Sequence, residues 1–165
     1  MNEKQGFKKE TLIAAVVIAA MVVVTLVVLG IFKVKSGWPA FLTLLFFFES
    51  GAKTENLKNI FCGAVVGLLL AGGLPLAVKA LVPSLGLEPA ILLVVFIIIF
   101  LIVALGDVAH MFFNNYAFVY FTVASIFPKQ STLEWIVVAV LGGMLFTGGS
   151  LGLLKLLIRH EGHES

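Results

Sequence analysis

The chain is expected to be an all-α integral membrane protein with six membrane segments, two of them short, laid out as a 3+3 inverted-topology repeat. Composition is the first reason. Of 165 residues, 61% are hydrophobic and only 12% charged, with a mean hydropathy of +1.14. Soluble domains are roughly 45–50% apolar and about 25% charged. Soluble enzymes, nucleic-acid binders and disordered proteins are therefore excluded. The second reason is four apolar runs of bilayer-crossing length, and the third is a self-match between the two halves. The formal charge of +2 makes no basic field suited to nucleic acid. Cys62 is the single cysteine, so no intrachain disulfide forms. The length holds one membrane domain, residues 1–165, and no sizeable soluble one.

A crossing helix needs about 20 predominantly apolar residues. Thr11 to Phe32 comes first, behind Lys4, Lys8 and Lys9. That layout resembles a secretory signal, but the run of 22 residues exceeds the 7–15 of a signal core, and no small-x-small site follows. It reads as a retained helix. Next comes a ten-residue run, Pro39 to Phe48, opened by Gly37-Trp38-Pro39 and closed by Glu49-Ser50-Gly51. After a polar loop, Thr54 or Asn56 is placed to cap a helix starting near Leu57. The run Ile60 to Val82 makes the third crossing, with Pro75 predicting a kink. Pro89 to Gly106 is the fourth. Phe112 to Phe127, sixteen residues, opens with Asn114-Asn115 and closes with Pro128-Lys129. Leu133 to Ile158 is the last. None of these runs alternates in polarity, so they are helices rather than barrel strands. The two short runs are re-entrant, broken or buried segments, unless the second crosses with tilt.

Charge bias tests the topology. With six crossings, Lys4, Lys8, Lys9, Lys53, Lys58, Lys155 and Arg159 share one side, seven against the four of Lys33, Lys35, Lys79 and Lys129. If both short runs only dip and return, the split is six against five. The positive-inside rule favours six crossings with both termini cytoplasmic.

Sliding the chain by 76 residues superposes Val27, Leu29 and Gly30 on Val103, Leu105 and Gly106. It also places Gly67, Leu69, Gly72 and Gly73 on Gly143, Leu145, Gly148 and Gly149, and Lys79 on Lys155. The short run at 39–48 falls on 115–124. One register thus joins long, short and long helices in both halves, about 11–82 and about 87–158. Three crossings per half invert the second half, the plan of many secondary transporters, where paired short segments point to the binding site. The two short runs are expected to meet near the midplane and line a path. The alternative is two short helices wedged into a thinned interior.

The candidate lining residues are Phe41, Thr43 and Phe47 from the first short run and Glu49 at its close, Asp107 and His110 at the end of the fourth helix, and Asn114, Asn115, Phe118 and Thr122 from the second short run. Ionisable groups inside a bilayer are costly and often functional. Asp107 and His110, three apart on one helical face, suit a proton relay or a cation site if deep. At the headgroup level they merely end one helix and start the next, and six crossings put them there. Glu49 reads either as a mouth residue or as the start of a solvated loop. The aromatics of the short runs make either an apolar constriction or packing bulk, with Trp38 and Trp135 as interfacial anchors.

Gly63, Gly67, Gly72 and Gly73 on the third helix, and Gly142, Gly143, Gly148 and Gly149 on the last, give small-residue packing faces. These helices are expected to pack tightly on each other or across subunits, helped by hydrogen bonds from Thr147 and Ser150. Lys79 and Lys155 read as snorkelling anchors. The tail His160-Glu161-Gly162-His163-Glu164 lacks enough ligands for zinc and reads as solvated. No Walker loop, H-E-x-x-H, G-x-S-x-G or CxxC pair occurs. No enzyme activity, metal or cofactor is expected.

Gly37-Trp38-Pro39-Ala40-Phe41, the Phe-rich run after it, Gly51, and Leu57-Lys58 leading into the Gly-rich helix resemble one family. So do Phe118, Trp135 and Leu141-Gly142-Gly143 through Gly149. These features, over most of 12–158, are similar to the bacterial inner-membrane proteins grouped as domain of unknown function number 1097. The charged N-terminal stretch is longer than that family's. The resemblance implies a small polytopic protein of the bacterial inner membrane, and no substrate or functional residue. The expected function is a channel or facilitator for a small solute through the repeat interface, working in the lipid bilayer as a homo-oligomer without nucleic acid. A non-transporting scaffold or auxiliary subunit is the alternative.

Overall fold

In the computed structural model, which describes residues 9–127 and 131–161, every regular element is helical. Helix α1 spans Lys9–Ile31. It ends where Lys33 turns left-handed (φ 52°), so that Val34 N donates to Leu29 O and Lys33 N to Gly30 O. Helix α2, Trp38–Glu49, starts after Gly37 with Pro39 in its first turn, where a missing N–H costs nothing. Gly51 (φ 83°) stops it with the same pair of bonds, Ala52 N to Phe47 O and Gly51 N to Phe48 O.

A 3-10 turn, Thr54–Asn56, leads into α3, Leu57–Leu85. Asn56 sits at the cap position but makes no capping bond, because its backbone is already helical (φ −77°, ψ −16°); its amide donates to Ser50 O and ties down the loop. The helix continues through Pro75 and Pro83. Gly86 (φ 79°, ψ 171°) then reverses the chain in a conformation open to glycine, and α4 follows, Leu87–Ala104. Helix α5, Asn115–Ser125, is shorter than the sixteen-residue run, because Asn114 takes the cap position and Phe112 and Phe113 lie in turns before it. The last helix is interrupted. Helix α6, Thr132–Val137, passes through a π-turn at Val138–Gly142 into α7, Gly143–Glu161.

Four stretches, Thr11–Ile31, Thr54–Leu85, Leu87–Ala104 and Thr132–Leu153, are long and apolar enough to cross a bilayer. Helix α2, at 12 residues, is about 18 Å long, and α5, at 11, is about 17 Å, roughly half the hydrocarbon thickness. The result is an apolar helical bundle of the kind a membrane accommodates.

The helices that the 76-residue shift pairs start at 9 and 87, 38 and 115, and 57 and 132, so the starts lie 78, 77 and 75 residues apart. Packing crosses between the halves. Helices α4 and α5 lie against α3, while α1 and α2 lie against α7 and its π-turn. Glycines seat these contacts. Gly63 faces Asn114 and Tyr116, and Gly67 faces Ala117, Tyr120 and Phe121, so α3 and α5 run parallel. Gly143 faces Thr43, Gly142 faces Ala40 and Gly149 faces Met21. The glycine faces thus receive mainly the other half's first and second helices, and each other only in part. Gly72 against Thr132 is the direct glycine contact between α3 and the last helix, and Gly73 and Gly148 have open space around them. The reason is shape: each short helix is a wedge, and a bare backbone lets it approach a long helix closely.

Directions follow from these contacts. Helix α7 runs against α1, with Gly149 at Met21 and Leu141 and Leu145 sharing a slot with Leu29 and Thr25. Asn59 at the start of α3 meets Asn114 just after α4, so those two helices run oppositely. Two ends result. One holds Glu49, Asn59 and residues 106–115. The other holds Lys35, Trp38, Phe127 and Glu134, where Lys35 N donates to the Glu134 carboxylate at 3.1 Å.

Candidate functional site

The two short helices touch through a fully buried polar knot. Thr43 of α2 and Tyr120 of α5 are both inaccessible, and their hydroxyl oxygens lie 2.7 Å apart. Tyr120 donates to Pro39 O at 2.8 Å. Pro39 O and Ala139 O each lie 3.1 Å from the Thr43 hydroxyl. Ala139 belongs to the π-turn, so the knot ties both short helices to the irregular point of the last long one. Two hydroxyl protons serve four oxygens, and the arrangement has no spare donor. Gly143 makes it possible: a Cβ there would sit 2.6 Å from the Thr43 methyl.

Toward the Glu49 end a cavity of about 660 Å³ opens. Its polar lining is Glu49, Asp107, His110, Asn114 and Asn115, and its rings are Phe46, Phe113, Tyr116 and Phe118. Phe46 lies 4.8 Å from Tyr116 and 6.0 Å from Tyr120 between ring centroids. An aromatic layer therefore separates the cavity from the knot. Beyond the knot, Trp38 lies tilted against Tyr120 (6.0 Å), stacks on Phe127 (6.4 Å) and meets Trp135 edge-on (5.3 Å).

Six of the ten lining candidates share this cavity: Glu49, Asp107, His110, Asn114, Asn115 and Phe118. Asp107 and His110 are exposed and follow α4, at the bundle end rather than at mid-depth. Asn114 has a structural task. Its Oδ1 accepts from Ala117 N at 3.0 Å, and its amide lies within bonding reach of Asn59 O, His110 O and Met111 O. Thr43 sits in the knot. Phe41 packs on Phe146, Phe47 is buried against Phe48, and exposed Thr122 donates to Phe118 O of its own helix. These last three do not reach the cavity lining.

Other expectations resolve locally. Trp135 is buried against Trp38, so the two indoles pack on each other rather than anchoring separately at a lipid surface. Thr147 donates back to Gly143 O of its own helix, and the buried Ser150 hydroxyl makes no hydrogen bond, so neither links helices. Lys79 and Lys155 are exposed. Lys4, Lys8, Lys129 and the tail Gly162-His163-Glu164 lie outside the described residues, and the side chains of Arg159, His160 and Glu161 are likewise not described. Among the described residues no three of His, Cys, Asp and Glu gather closely enough to hold a metal ion.

Tyr120 is one of the short-run aromatics read as constriction or packing bulk, not one of the ten lining candidates, and the Ala139 carbonyl is in neither group. A tyrosine in the middle of a short apolar helix was the available signal, since a buried phenol needs a partner. The π-turn had no signal beyond Gly142-Gly143.

No curated protein and no solved structure matches the chain. A family model described as protein of unknown function (DUF1097) matches residues 13–155. The match spans most of the 165 residues, and the chain belongs to the DUF1097 family.

Proposed function

We propose that this protein is a facilitator for a small solute in the bacterial inner membrane, with a path running between α2 and α5. The carrying observation is the alignment of a polar cavity, an aromatic layer and the Thr43–Tyr120 knot along that interface. In this reading the knot is the closed gate, and the cavity is the vestibule on the cytoplasmic side. The fold is a 3+3 inverted repeat with six crossings and both termini cytoplasmic. Three facts support it. Gly67 and Gly143, 76 residues apart, each seat the other half's short helix. The contacts of α3 with α4 and α5 mirror those of α7 with α1 and α2. Along α6, Gly72 meets Thr132, whereas Ala139 lies at the knot beside Gly67's neighbour Tyr120, so the two equivalent long helices run oppositely. The exposed apolar faces of α1 and α4 meet lipid or a second copy of the chain.

Flux in proteoliposomes tests this. Tyr120→Phe and Thr43→Val loosen the gate and are expected to raise passive uptake of a small solute several-fold over the unaltered protein. Unchanged, protein-independent leakage in all three would remove the path. One observation favours a second reading, a non-transporting auxiliary subunit: the junction is closed, with Thr43, Phe47 and Tyr120 fully buried. Purification with a stoichiometric, different membrane protein supports that reading, and a lone homo-oligomer opposes it.

A further inference from the structure

We infer that the cavity at the Glu49 end is a binding site for a small organic cation, a protonated amine or a quaternary ammonium. The inference rests on the solute-path reading for its function but not for its chemistry.

Charge is the first argument. Glu49 from α2 and Asp107 after α4 line one space from different elements, and among the described residues no lysine or arginine is part of that lining. Neither carboxylate makes an ion pair among the described residues. Two carboxylates with no ion pair among the described residues set a negative potential in a recess partly walled by rings and aliphatic side chains, which focuses the field on whatever enters.

Shape is the second. Glu49, Asp107 and His110 line the cavity without converging on a point, and they do not form a cluster able to ligate a metal ion. About 660 Å³ falls in the range of small-molecule sites. A cation that bridges separated carboxylates must itself be several atoms wide.

Ring chemistry is the third. Phe46, Phe113, Tyr116 and Phe118 contribute four aromatic residues to the same lining. Aromatic faces attract ammonium groups, and cages of such rings are a recurrent way of holding quaternary nitrogen. A neutral polar solute uses the asparagines but gains little from that wall, and an anion is repelled by both carboxylates. The combination of two acids and a ring-bearing lining selects an apolar-coated positive charge. Phe46 and Tyr116 also form the layer over the knot, so a bound cation rests on the floor of the vestibule.

The test is equilibrium dialysis of radiolabelled choline against the purified full chain in zwitterionic nanodiscs. The competitor is 3,3-dimethylbutan-1-ol, which has the same shape without the charge. Saturable choline binding is expected, the neutral alcohol should fail to compete, and Glu49→Gln and Asp107→Asn should each weaken binding about tenfold. Both residues are exposed, so the variants should keep the parent's gel-filtration profile and melting temperature. Phe118→Leu, on a half-exposed ring, is a second probe and should weaken choline binding without changing the fold. Absence of saturable binding at millimolar choline, equal competition by the alcohol, or unaltered affinity in both carboxylate variants would overturn the inference. Choline binding without choline flux in proteoliposomes removes the path and leaves the site. Flux of a neutral solute without choline binding removes the site and leaves the path.

Discussion

Tyr120 and Asn114 show how single polar groups organise an apolar bundle. Buried hydroxyls and amides persist where their partners are met, and losing one partner costs about 1–3 kcal/mol. Tyr120→Phe removes the donor to Pro39 O and leaves the Thr43 proton to choose between Pro39 O and Ala139 O. A stability loss of about 1–2 kcal/mol is expected, read as a lower melting temperature in detergent. Asn114→Ala removes a cap, worth about 0.5–2 kcal/mol, and leaves α5 detached from Asn59 O. Its neighbour Asn115 is exposed, and Asn115→Ala should stay within about 0.5 kcal/mol of the parent. Equal melting temperatures for the two asparagine variants would contradict the cap.

Between elements, the spacing of helices is set by missing side chains. At Gly67 a Cβ would meet backbone atoms of α5, Ala117 O and Phe121 N, which move only with the whole helix. Gly67→Ala should therefore cost about 1–3 kcal/mol. At Gly73 nothing lies within 4 Å, so Gly73→Ala should be neutral or stabilising by up to about 1 kcal/mol, through helix propensity alone. Gly143 differs from Gly67 because its obstacle is one side chain, Thr43. Gly143→Ala should destabilise, and adding Thr43→Ser should recover part of the loss by removing the methyl in the way. No recovery in the double variant would mean that the close approach at Gly143 is not what positions α2.

For the molecule as a whole, the crossed packing of the halves makes topology testable. With Cys62 replaced by alanine, single cysteines at Lys35 and Ser131 should be labelled by a membrane-impermeant maleimide from one side of intact inverted or right-side-out vesicles. One at Lys53 should be labelled only from the other side. All three positions are exposed. Labelling of residues 35 and 53 from the same side would mean that α2 dips and returns. The even division of short helices between the halves would then no longer imply inversion. Exposed apolar side chains along α4, among them Leu92, Phe96, Phe100 and Val103, are the surface that a lipid or a second copy must cover.

Run length and polarity alone announced the helices, because a bilayer leaves backbone groups no partner outside the segment and so makes the apolar runs helical. They also exposed Glu49, Asp107, His110 and Asn115, since ionisable and amide groups are conspicuous in so apolar a chain. The 76-residue register anticipated long, short and long helices in both halves. What lay out of reach of any linear pattern was the partner of each group. Thr43 meets Tyr120 across 77 residues and the π-turn carbonyl across 96. Trp38 meets Trp135 inside the bundle, and the glycine faces receive the short helices of the opposite half. Such pairings arise only when wedges and bare backbones are brought together in three dimensions, because close packing depends on which surfaces fit and leaves no trace in local periodicity.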